Sequence, residues 1–478
     1  MRTLLWFRGK DLRLSDHAAL TQARNDELIP VFVLDDYFFE PARARELPHR
    51  MQFLVESLGA LKSSLEARGS RLLLVKGTSL ELIPQLVVRF RCDRVLGLRW
   101  TEPFGRARDA RVQRRLAVPF ELREGETLAA PGSVRTVAGG AYHVYTPFAQ
   151  AFRRVVHVQA PLPAPKRLPP LPRDIAFESA PLPTLAALGI ERNARLPEAG
   201  EAAARARLKQ FLNAAAENYA DTRDRVDRPG TSRLSQDLKF GTLSARTVWR
   251  AIVRVLGDSK SGQVFTNQLI WREFAHGVLW DRPDVLRRPF RKDFEGFPWR
   301  EDESGWRAWA SGHTGYPVVD AAARQLLSEG FVHNRARMIA ASFLTKHLLI
   351  HYRKGEAHYL KYLVDGDWAQ NNLGWQWSAG SGCDAQPYFR VFNPVTQGER
   401  FDADGDYVRR WVPELAKLPA RFIHAPWKAP ARLLESLGVR LGRDYPEPIV
   451  EHALARERFL QIAHSHLSRQ RKEVTRHD

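Results

Sequence analysis

One stretch of the sequence, DGDWAQNNLGWQW (residues 365–377), brings together two carboxylates, two adjacent amides and three tryptophans. If it forms a helix, Asn371 and Trp375 project from the same face because they are four residues apart. Asp365 and Asp367 come at its beginning, where carboxylates stabilise a helix N-terminus. Buried amides need polar partners, and a large heteroaromatic cofactor would provide them. An N-capped core helix with aromatic packing would account for a WQW sequence alone.

Two further motifs carry polar side chains at spacings that suit binding. TSRLS (231–235) offers three hydroxyls, an arginine and backbone N–H groups, which suit a diphosphate, although an ordinary turn or helix cap also explains them. HNRARM (333–338) places Asn334 and Met338 on one helical face, with arginines around it. The tryptophan of WREF (271–274) follows an apolar helix start and is equally suited to a core.

Composition indicates a folded protein with an excess of positive charge. The 478 residues suggest two or three domains, and 73 Lys and Arg against 54 Asp and Glu give a net charge of +19. That excess favours a polyanionic partner such as nucleic acid, although an arginine-rich composition without any function explains it equally. Only Cys92 and Cys383 are present, which excludes a disulfide framework or a cysteine metal site and predicts a reducing cytoplasm. No apolar run approaches the ~20 residues that span a bilayer, so no membrane association is expected.

The first 125 residues alternate short apolar runs with helical stretches. This alternation predicts a parallel sheet with right-handed crossovers. No GxGxxG follows the first run, so a dinucleotide site of the usual kind is not supported there. The predicted strands are residues 3–7, 28–34, 71–75, 94–98 and 119–122, and the clearest helices are residues 50–68 and 104–116.

Proline content marks a change in organisation after the predicted sheet. Residues 159–185 are proline-rich and predict an extended connector, because proline disrupts helix interiors and central strands. Helical periodicity dominates from about residue 197 onward. The predicted fold class is therefore α/β plus all-α: a Rossmann-like parallel-sheet domain at 1–130, a long connector at 131–200 and an all-helical domain at 201–478.

Taken together, the motifs resemble the photolyase/cryptochrome family of light-driven flavoproteins. The resemblance covers nearly the whole chain and is closest to the bacterial enzymes that repair cyclobutane pyrimidine dimers. It implies an N-terminal α/β domain, a connector and a helical FAD-binding domain, in agreement with the pattern above. The matching segments are residues 6–20, 218–244, 267–274, 314–326, 333–350 and 365–402.

The resemblance implies one FAD per chain, folded into a U and active as the reduced anion. Asn371 is expected to face flavin N5, where a neutral amide accepts a hydrogen bond without placing a charge beside the anion. Arg337 is expected to pair with Asp365. The other cofactor residues that the resemblance implies are Tyr219, Thr231, Ser232, Arg233, Leu234, Ser235, Phe265, Arg272, Gly366 and Asp367.

The resemblance also implies a cavity that receives a pyrimidine dimer flipped out of UV-damaged DNA. Photoexcited reduced FAD gives the dimer an electron, the cyclobutane ring splits, and the electron returns. Trp271 and Trp377 would stack on the bases, and Asn334 and Met338 would face the dimer. The residues expected to contact the flanking phosphates are Arg223, Arg335 and Gln397.

Gln268 departs from the family pattern for dimer repair. It stands where these enzymes usually have a glutamate, and an amide cannot share a proton with the dimer radical anion. We therefore expect slower repair. Glutamine also occurs in relatives that repair (6-4) photoproducts, but those carry histidines where this chain has Asn334 and Met338. That difference favours the cyclobutane dimer.

A second departure concerns the chain of three tryptophans that reduces the flavin in this family. Trp375 and Trp299 match its inner and outer members, but Tyr352 takes the middle place. A tyrosine is harder to oxidise unless it also loses its proton. We expect photoreduction to be impaired, or to pass through another indole such as Trp368 or Trp306.

The same motifs are compatible with other functions and imply further partners. A cryptochrome-like photoreceptor would share the fold, but Asn371, the lesion-cavity residues and a short C-terminal tail (466–478) argue against it. A non-catalytic nucleic-acid-binding module would carry no chromophore. An antenna chromophore is expected, and Glu102 matches an acid of folate-binding relatives, so methenyltetrahydrofolate, a deazaflavin and a flavin are all candidates. A monomer is expected, with no metal.

Overall fold

The computed structural model describes residues 1–477, with side chains up to residue 470. Its sheet has five parallel strands in the order β3-β2-β1-β4-β5, so the crossovers lead to both sides of the first strand. This confirms the predicted parallel sheet and all five predicted strands. The strands are β1 (Arg2–Phe7), β2 (Glu27–Leu34), β3 (Leu73–Lys76), β4 (Arg94–Leu98) and β5 (Phe120–Arg123).

The central strands are apolar over most of their length because both faces of the sheet are covered. In β1, Leu4 and Trp6 join one buried cluster, whereas Leu5 and Phe7 join another. Successive side chains of a strand point to opposite faces, so each face contributes to its own core. The helices of this part are α1 (Ala18–Ala23), α2 (Asp36–Phe39), α3 (Pro41–Arg45), α4 (Pro48–Glu66), α5 (Ser79–Arg89), α6 (Pro103–Gln113) and α7 (Tyr145–Val155).

Helices make up the rest of the regular structure. Within the described residues, no strand follows β5, which confirms the predicted all-helical second part. A single π-helical turn, Phe343–His347, continues directly from α15. The helices are α8 (Glu201–Ala214), α9 (Tyr219–Thr222), α10 (Ser235–Phe240), α11 (Ala245–Leu256), α12 (Lys260–Asp281), α13 (Glu303–Ser311), α14 (Pro317–Glu329), α15 (Asn334–Ser342), α16 (Tyr352–Tyr362), α17 (Trp368–Ala379), α18 (Pro394–Phe401), α19 (Asp406–Trp411), α20 (Ala420–Ile423), α21 (Ala431–Leu437) and α22 (His452–His477).

A long irregular segment precedes the helical part, and short 3-10 turns lie between some of its helices. Among the described residues, no helix or strand lies between Val155 and Glu201. That segment contains the predicted proline-rich connector, and its Ala180 N–H donates to Leu74 O of β3. None of the helices in residues 1–477 is both long enough and apolar enough to cross a bilayer. The 3-10 turns are Pro283–Leu286, Lys292–Phe294, Pro413–Leu415 and Pro426–Lys428.

The chain divides into two compact units. We name them the sheet unit and the helical unit. The predicted domain boundaries at residues 130 and 200 follow sequence character and remain a prediction. The sheet unit is Met1–Ala220, Ser232–Pro283 and Val364–Ala369, and the helical unit is Asp221–Thr231, Asp284–Leu363 and Gln370–Asp478, of which the last residue lies outside the described part.

Candidate active site

The predicted site residues are distributed over both units. The sheet unit carries Glu102, Tyr219, Ser232, Arg233, Leu234, Ser235, Phe265, Gln268, Trp271, Arg272, Asp365, Gly366 and Asp367. The helical unit carries Arg223, Thr231, Trp299, Asn334, Arg335, Arg337, Met338, Tyr352, Asn371, Trp375, Trp377 and Gln397.

In the sheet unit, the α17 helix begins as the sequence predicts. The Asp367 carboxylate accepts a hydrogen bond from the Ala369 N–H at 2.9 Å, which satisfies one of the backbone donors at the helix start. The preceding glycine is fixed as well, because Arg50 donates to Gly366 O at 3.4 Å. The three-residue segment before α17 is therefore anchored by its own side chain and by α4.

Asp367 also belongs to a buried charge cluster. The Lys10 ammonium lies 2.8 Å from Glu102, 2.5 Å from Glu126 and 3.1 Å from Asp367. Burial lowers the pKa of Lys10, but the three carboxylates together have the larger effect and raise it above its usual value. The ammonium therefore stays charged. Burial raises the pKa of Asp367, but Lys10 and the neighbouring His276 and Arg272 together lower it below its usual value, so this carboxylate stays ionised. One lysine thus holds carboxylates from three separate parts of the chain.

Two more side chains complete this cluster. Arg272 donates to Glu126 O at 2.8 Å, and His276 Nδ1 lies 2.7 Å from the Thr101 hydroxyl. Burial, followed by the charge of Arg272, lowers the pKa of His276 to about 4, so the imidazole is neutral. Glu126, His276 and Asp367 offer ligand atoms within 4.8 Å of one another. The Lys10 ammonium bonds to two of these three, so the cluster already contains its cation.

A buried apolar cluster in the sheet unit contains three of the predicted cofactor residues. Tyr219, Leu234 and Phe265 share one buried cluster, and the rings of Tyr219 and Phe265 have centroids 4.9 Å apart. The loop before α10 holds Arg233 at a φ of 49°, a left-handed conformation that costs energy in a residue with a side chain. Hydroxyls, an arginine and the start of α10 follow one another there, which suits a phosphate group. These residues fit the predicted diphosphate and ring contacts.

The lesion candidates of the sheet unit lie on α12. The indole of Trp271 stacks on the ring of Tyr145, with centroids 3.7 Å apart and planes 6° apart. The Tyr145 hydroxyl donates to Asn267 O at 3.0 Å, which fixes the ring under the indole. Gln268 donates from Nε2 to Val264 O at 3.2 Å, so its amide lies along the helix. Sequence reasoning missed Tyr145, because one tyrosine at the start of α7 carries no signal of its own.

In the helical unit, the adjacent amides of α17 bind to α16. Asn371 Nδ2 donates to Glu356 O at 3.0 Å, and Asn372 Nδ2 donates to Glu356 Oε1 at 3.0 Å. Asn372 Nδ2 also lies 3.1 Å from Val285 O. The interpretation that both amides await a cofactor is thus wrong for Asn372, whose partners are protein groups. Burial raises the pKa of the Glu356 carboxyl to about 7.

The HNRARM helix has the face that its spacing predicts. Asn334 Nδ2 lies 3.6 Å from the Met338 sulfur, so the amide and the thioether are side by side. Arg335 lies 3.1 Å from the Asp224 carboxylate and packs over the Phe401 ring at 4.3 Å. Arg337 donates to Val332 O at 2.7 Å. The arginine next to the amide–thioether pair is therefore held by an acid and a ring.

In the helical unit, the rings in contact with Trp375 lie outside the predicted row of Trp375, Tyr352 and Trp299. Trp299 contacts Tyr352 with ring centroids 6.4 Å apart, but the rings that contact Trp375 are those of Trp309 at 5.9 Å and Tyr359 at 5.1 Å. Trp309 in turn stacks on Trp306, at 5.5 Å and 26°. Three indoles therefore follow one another from buried Trp375 to half-buried Trp306.

Local packing explains this arrangement. Gly355 of α16 lets the Trp375 ring lie directly against the helix, since a Cβ at that glycine would be 2.2 Å from the ring. The Trp309 N–H donates to Ala340 O at 2.9 Å, which fixes the middle indole. In the described chain, the Tyr352 hydroxyl has no hydrogen-bond partner, and burial raises its pKa. Tyr352 is thus poorly placed to lose a proton on oxidation.

A cleft in the sheet unit was not predicted. It encloses about 720 Å³, solvent included, and its lining combines aromatic residues and cations with one carboxylate, Asp35. Burial lowers the pKa of Lys239 to about 8 and that of Arg50 to about 10, so both cations lack full compensation by acids. Glu102 is absent from the lining because it pairs with Lys10. The aromatic residues are Trp6, Phe7, Phe32, Phe38, Phe39, Trp100, Phe104 and Phe240, and the cations are Arg8, Arg50, Arg108 and Lys239.

Comparison with known proteins identifies the family. Residues 3–166 match the profile described as DNA photolyase, and residues 265–465 match the FAD binding domain of DNA photolyase. A deoxyribodipyrimidine photo-lyase from Agrobacterium fabrum is 40% identical over 467 residues, which cover 96% of each chain. The chain belongs to the DNA photolyase family. Its C-terminal part is the FAD-binding domain of that family.

Solved structures agree with this assignment to the photolyase family. A bacterial class III photolyase from Agrobacterium tumefaciens has a TM-score of 0.90 and 39% identity, covering 98% of both chains. A cryptochrome from Synechocystis has a TM-score of 0.89 and 30% identity, covering 96% of this chain and 99% of its own. The photolyase-family fold is therefore established over essentially the full length, and it is shared by a photolyase and a cryptochrome.

Proposed function

We propose that this photolyase-family protein is a deoxyribodipyrimidine photo-lyase, a carbon–carbon lyase that splits cyclobutane pyrimidine dimers in UV-damaged DNA under blue light. The observation that carries the proposal is the 40% identity, over 96% of the chain, to a relative of that name. The side chains of the lesion candidates support it. In particular, α15 presents Asn334 beside Met338. By the family resemblance, relatives that repair (6-4) photoproducts carry histidines at these two places.

FAD, when bound and reduced, supplies the light-driven electron donor for this chemistry. The protein contributes position and surroundings. Trp271, whose indole is stacked on Tyr145, offers a surface on which an extruded base can stack. Stacking of this kind accepts either pyrimidine, because every base has a π-face. Asn371 donates to Glu356 O, which orients its amide group. A neutral amide next to the reduced flavin adds no negative charge there.

Gln268 contributes hydrogen bonds without proton transfer. Its Nε2 donates one N–H to Val264 O at 3.2 Å, and the second N–H of the amide can donate to a pyrimidine carbonyl. The lack of an acidic proton reduces the stabilisation of a dimer anion. We therefore propose slower repair than in relatives with glutamate at this place.

A panel of substrates tests the proposed function. Reduced protein is illuminated with one of three otherwise identical oligonucleotides, which carry a cyclobutane dimer, a (6-4) photoproduct or no lesion. Restored bases are expected in the first only. Restoration of the (6-4) product instead would reassign the substrate. The absence of repair on all three, with FAD bound and reduced, would favour a cryptochrome-like photoreceptor.

We also propose an antenna chromophore in the cleft of the sheet unit. Aromatic walls with Arg50 and Lys239 among them suit a planar chromophore that carries negative charge. Methenyltetrahydrofolate, a deazaflavin and a flavin all have this chemistry. Adding each compound to purified protein and recording energy transfer to FAD would identify it. Lys239→Met should weaken the binding of the true antenna, whereas unchanged binding would place it elsewhere. The monomeric state and cytoplasmic location stay predictions.

A further inference from the structure

A basic groove runs along the surface of the sheet unit, between α8 and α11. It encloses about 1710 Å³, open solvent included, and no aspartate or glutamate lines it. Arg205 and Lys209 of α8 face it from one side, and Arg250 and Arg254 of α11 from the other. None of the residues predicted to contact the lesion or its flanking phosphates belongs to this lining.

The cations of this groove are largely uncompensated. All four side chains are exposed. Arg205 has one acidic partner, Glu201 at 3.3 Å, and that carboxylate also bonds to Ser15 and to the Leu14 N–H. Within the described chain, the side chains of Lys209, Arg250 and Arg254 have no ion pair or hydrogen bond. Four like charges on a concave surface repel one another and raise the local positive potential, which a polyanion would relieve.

The spacing of these cations suits a row of phosphates. On each helix the two cations are four residues apart, so their Cβ atoms are about 6 Å apart on one face. The α8 and α11 helices are in contact, which sets the two pairs side by side. Asn213 and Thr247 add neutral hydrogen-bonding groups to the lining. A set of this kind binds a nucleic-acid backbone without reading its sequence.

We propose that this groove, made by Arg205, Lys209, Arg250 and Arg254, is a second binding surface for the phosphate backbone of duplex DNA. It holds undamaged DNA, and it acts in addition to the lesion site. The choice of DNA as the polyanion rests on the proposed function. Sequence-independent contacts of this type keep a protein on DNA while it slides and hops in search of a target.

Salt dependence of binding to an undamaged duplex gives the first test. Each lost phosphate contact reduces the slope of log K against log salt by about 0.9. The variant R250Q/R254Q should therefore show a slope lower in magnitude by about 1.8, with weaker binding at every salt concentration. The matched control is K417Q/R432Q, which removes two exposed cations of the helical unit that have no ion pair. Equal slopes for the two variants would overturn the proposal.

A local reporter gives the second test. Both native cysteines, Cys92 and Cys383, are buried, so Asn213→Cys provides a single accessible thiol in the groove for an environment-sensitive fluorophore. The undamaged duplex should change its emission, and R250Q/R254Q should abolish the change. Fluorophore emission that stays the same when the duplex is bound would overturn the proposal. So would emission that responds to vesicles of phosphatidylserine and phosphatidylcholine but not to DNA.

The two proposals fail in distinguishable ways. At saturating dimer-containing DNA, R250Q/R254Q should repair at the rate of the unmodified protein, because the groove lies outside the lesion residues. If the unmodified protein repairs nothing, the proposed function fails, but the reporter at residue 213 still measures DNA in the groove. A repair rate at saturation that falls with the groove variant would place these arginines in the lesion site and overturn the second surface.

Discussion

The indole of Trp375 lies edge-on to the indole of Trp309, with ring centroids 5.9 Å apart and planes at 70°. Trp306 stacks on Trp309 in turn and reaches the surface. The family resemblance predicts that Tyr352 and Trp299 carry the electron to Trp375 instead. The contacts favour the route through Trp309, because each step joins two indoles and needs no proton transfer.

Trp309→Phe should slow photoreduction of the flavin by about tenfold or more, which corresponds to about 1.4 kcal/mol in the barrier. Phenylalanine fills much of the same space but is not oxidised under these conditions. Tyr352→Phe should have little effect, since its hydroxyl has no acceptor for the proton. The measurement is flavin absorbance under blue light with an external reductant. A large effect of Tyr352→Phe with none of Trp309→Phe would restore the route through the tyrosine.

Lys10→Met should destabilise the protein by about 3–5 kcal/mol, because it leaves three buried carboxylates without their ammonium. The matched control is Lys62→Met, which removes an exposed ion pair with Glu66 and should cost below about 1 kcal/mol. Thermal and denaturant unfolding of both variants measure the difference. Similar losses for the two would show that the buried cluster contributes little.

Glu356 should make stability depend on pH. Burial raises the pKa of its carboxyl from 4.5 to about 7, so between these values the folded protein binds the proton and the unfolded chain releases it. Stability from this group therefore falls as pH rises from 4.5 to 7, by about 3 kcal/mol at most. Glu356→Gln should match the unmodified protein near pH 4.5 and exceed its stability at pH 8. The exposed Glu435→Gln is the control, and equal behaviour of the two variants would contradict the assignment.

Trp271→Ala should reduce the affinity for dimer-containing DNA by about 1–3 kcal/mol, the contribution of one base stacked on an aromatic ring. Tyr145→Leu should reduce the same affinity by less, because it removes the ring that holds the indole flat and leaves the indole in place. Binding to undamaged duplex should change little in either variant. Filter binding or anisotropy measures both. Equal losses on damaged and undamaged DNA would show that Trp271 does not stack on the lesion.

The sheet could be predicted because its strands are buried on both faces and therefore stand out as short apolar runs. The capped start of α17 was also predictable, since Asp367 immediately precedes the helix that it caps. The contact between Asn334 and Met338 was predictable as well, because the two residues are four apart on one helix. These features depend on residues that are near one another in the chain.

The remaining features depend on residues that are far apart in the chain. Lys10 is separated from Glu126 and Asp367 by 116 and 357 residues in the sequence, so no local pattern predicts that they form a cluster. Trp309 has the spacing of an ordinary core residue, and only the fold shows that it lies between two other indoles. The cleft of the sheet unit combines residues from several strands and helices, and it was missed for that reason.

Illumination of the reduced protein with a defined cyclobutane-dimer oligonucleotide is the most direct measurement of the central claim. We expect the dimer to be converted into two intact pyrimidines in the light and to persist in the dark, with the flavin in the same redox state before and after. A dimer that stays intact in the light, although reduced FAD and the damaged DNA are both bound, would contradict this account.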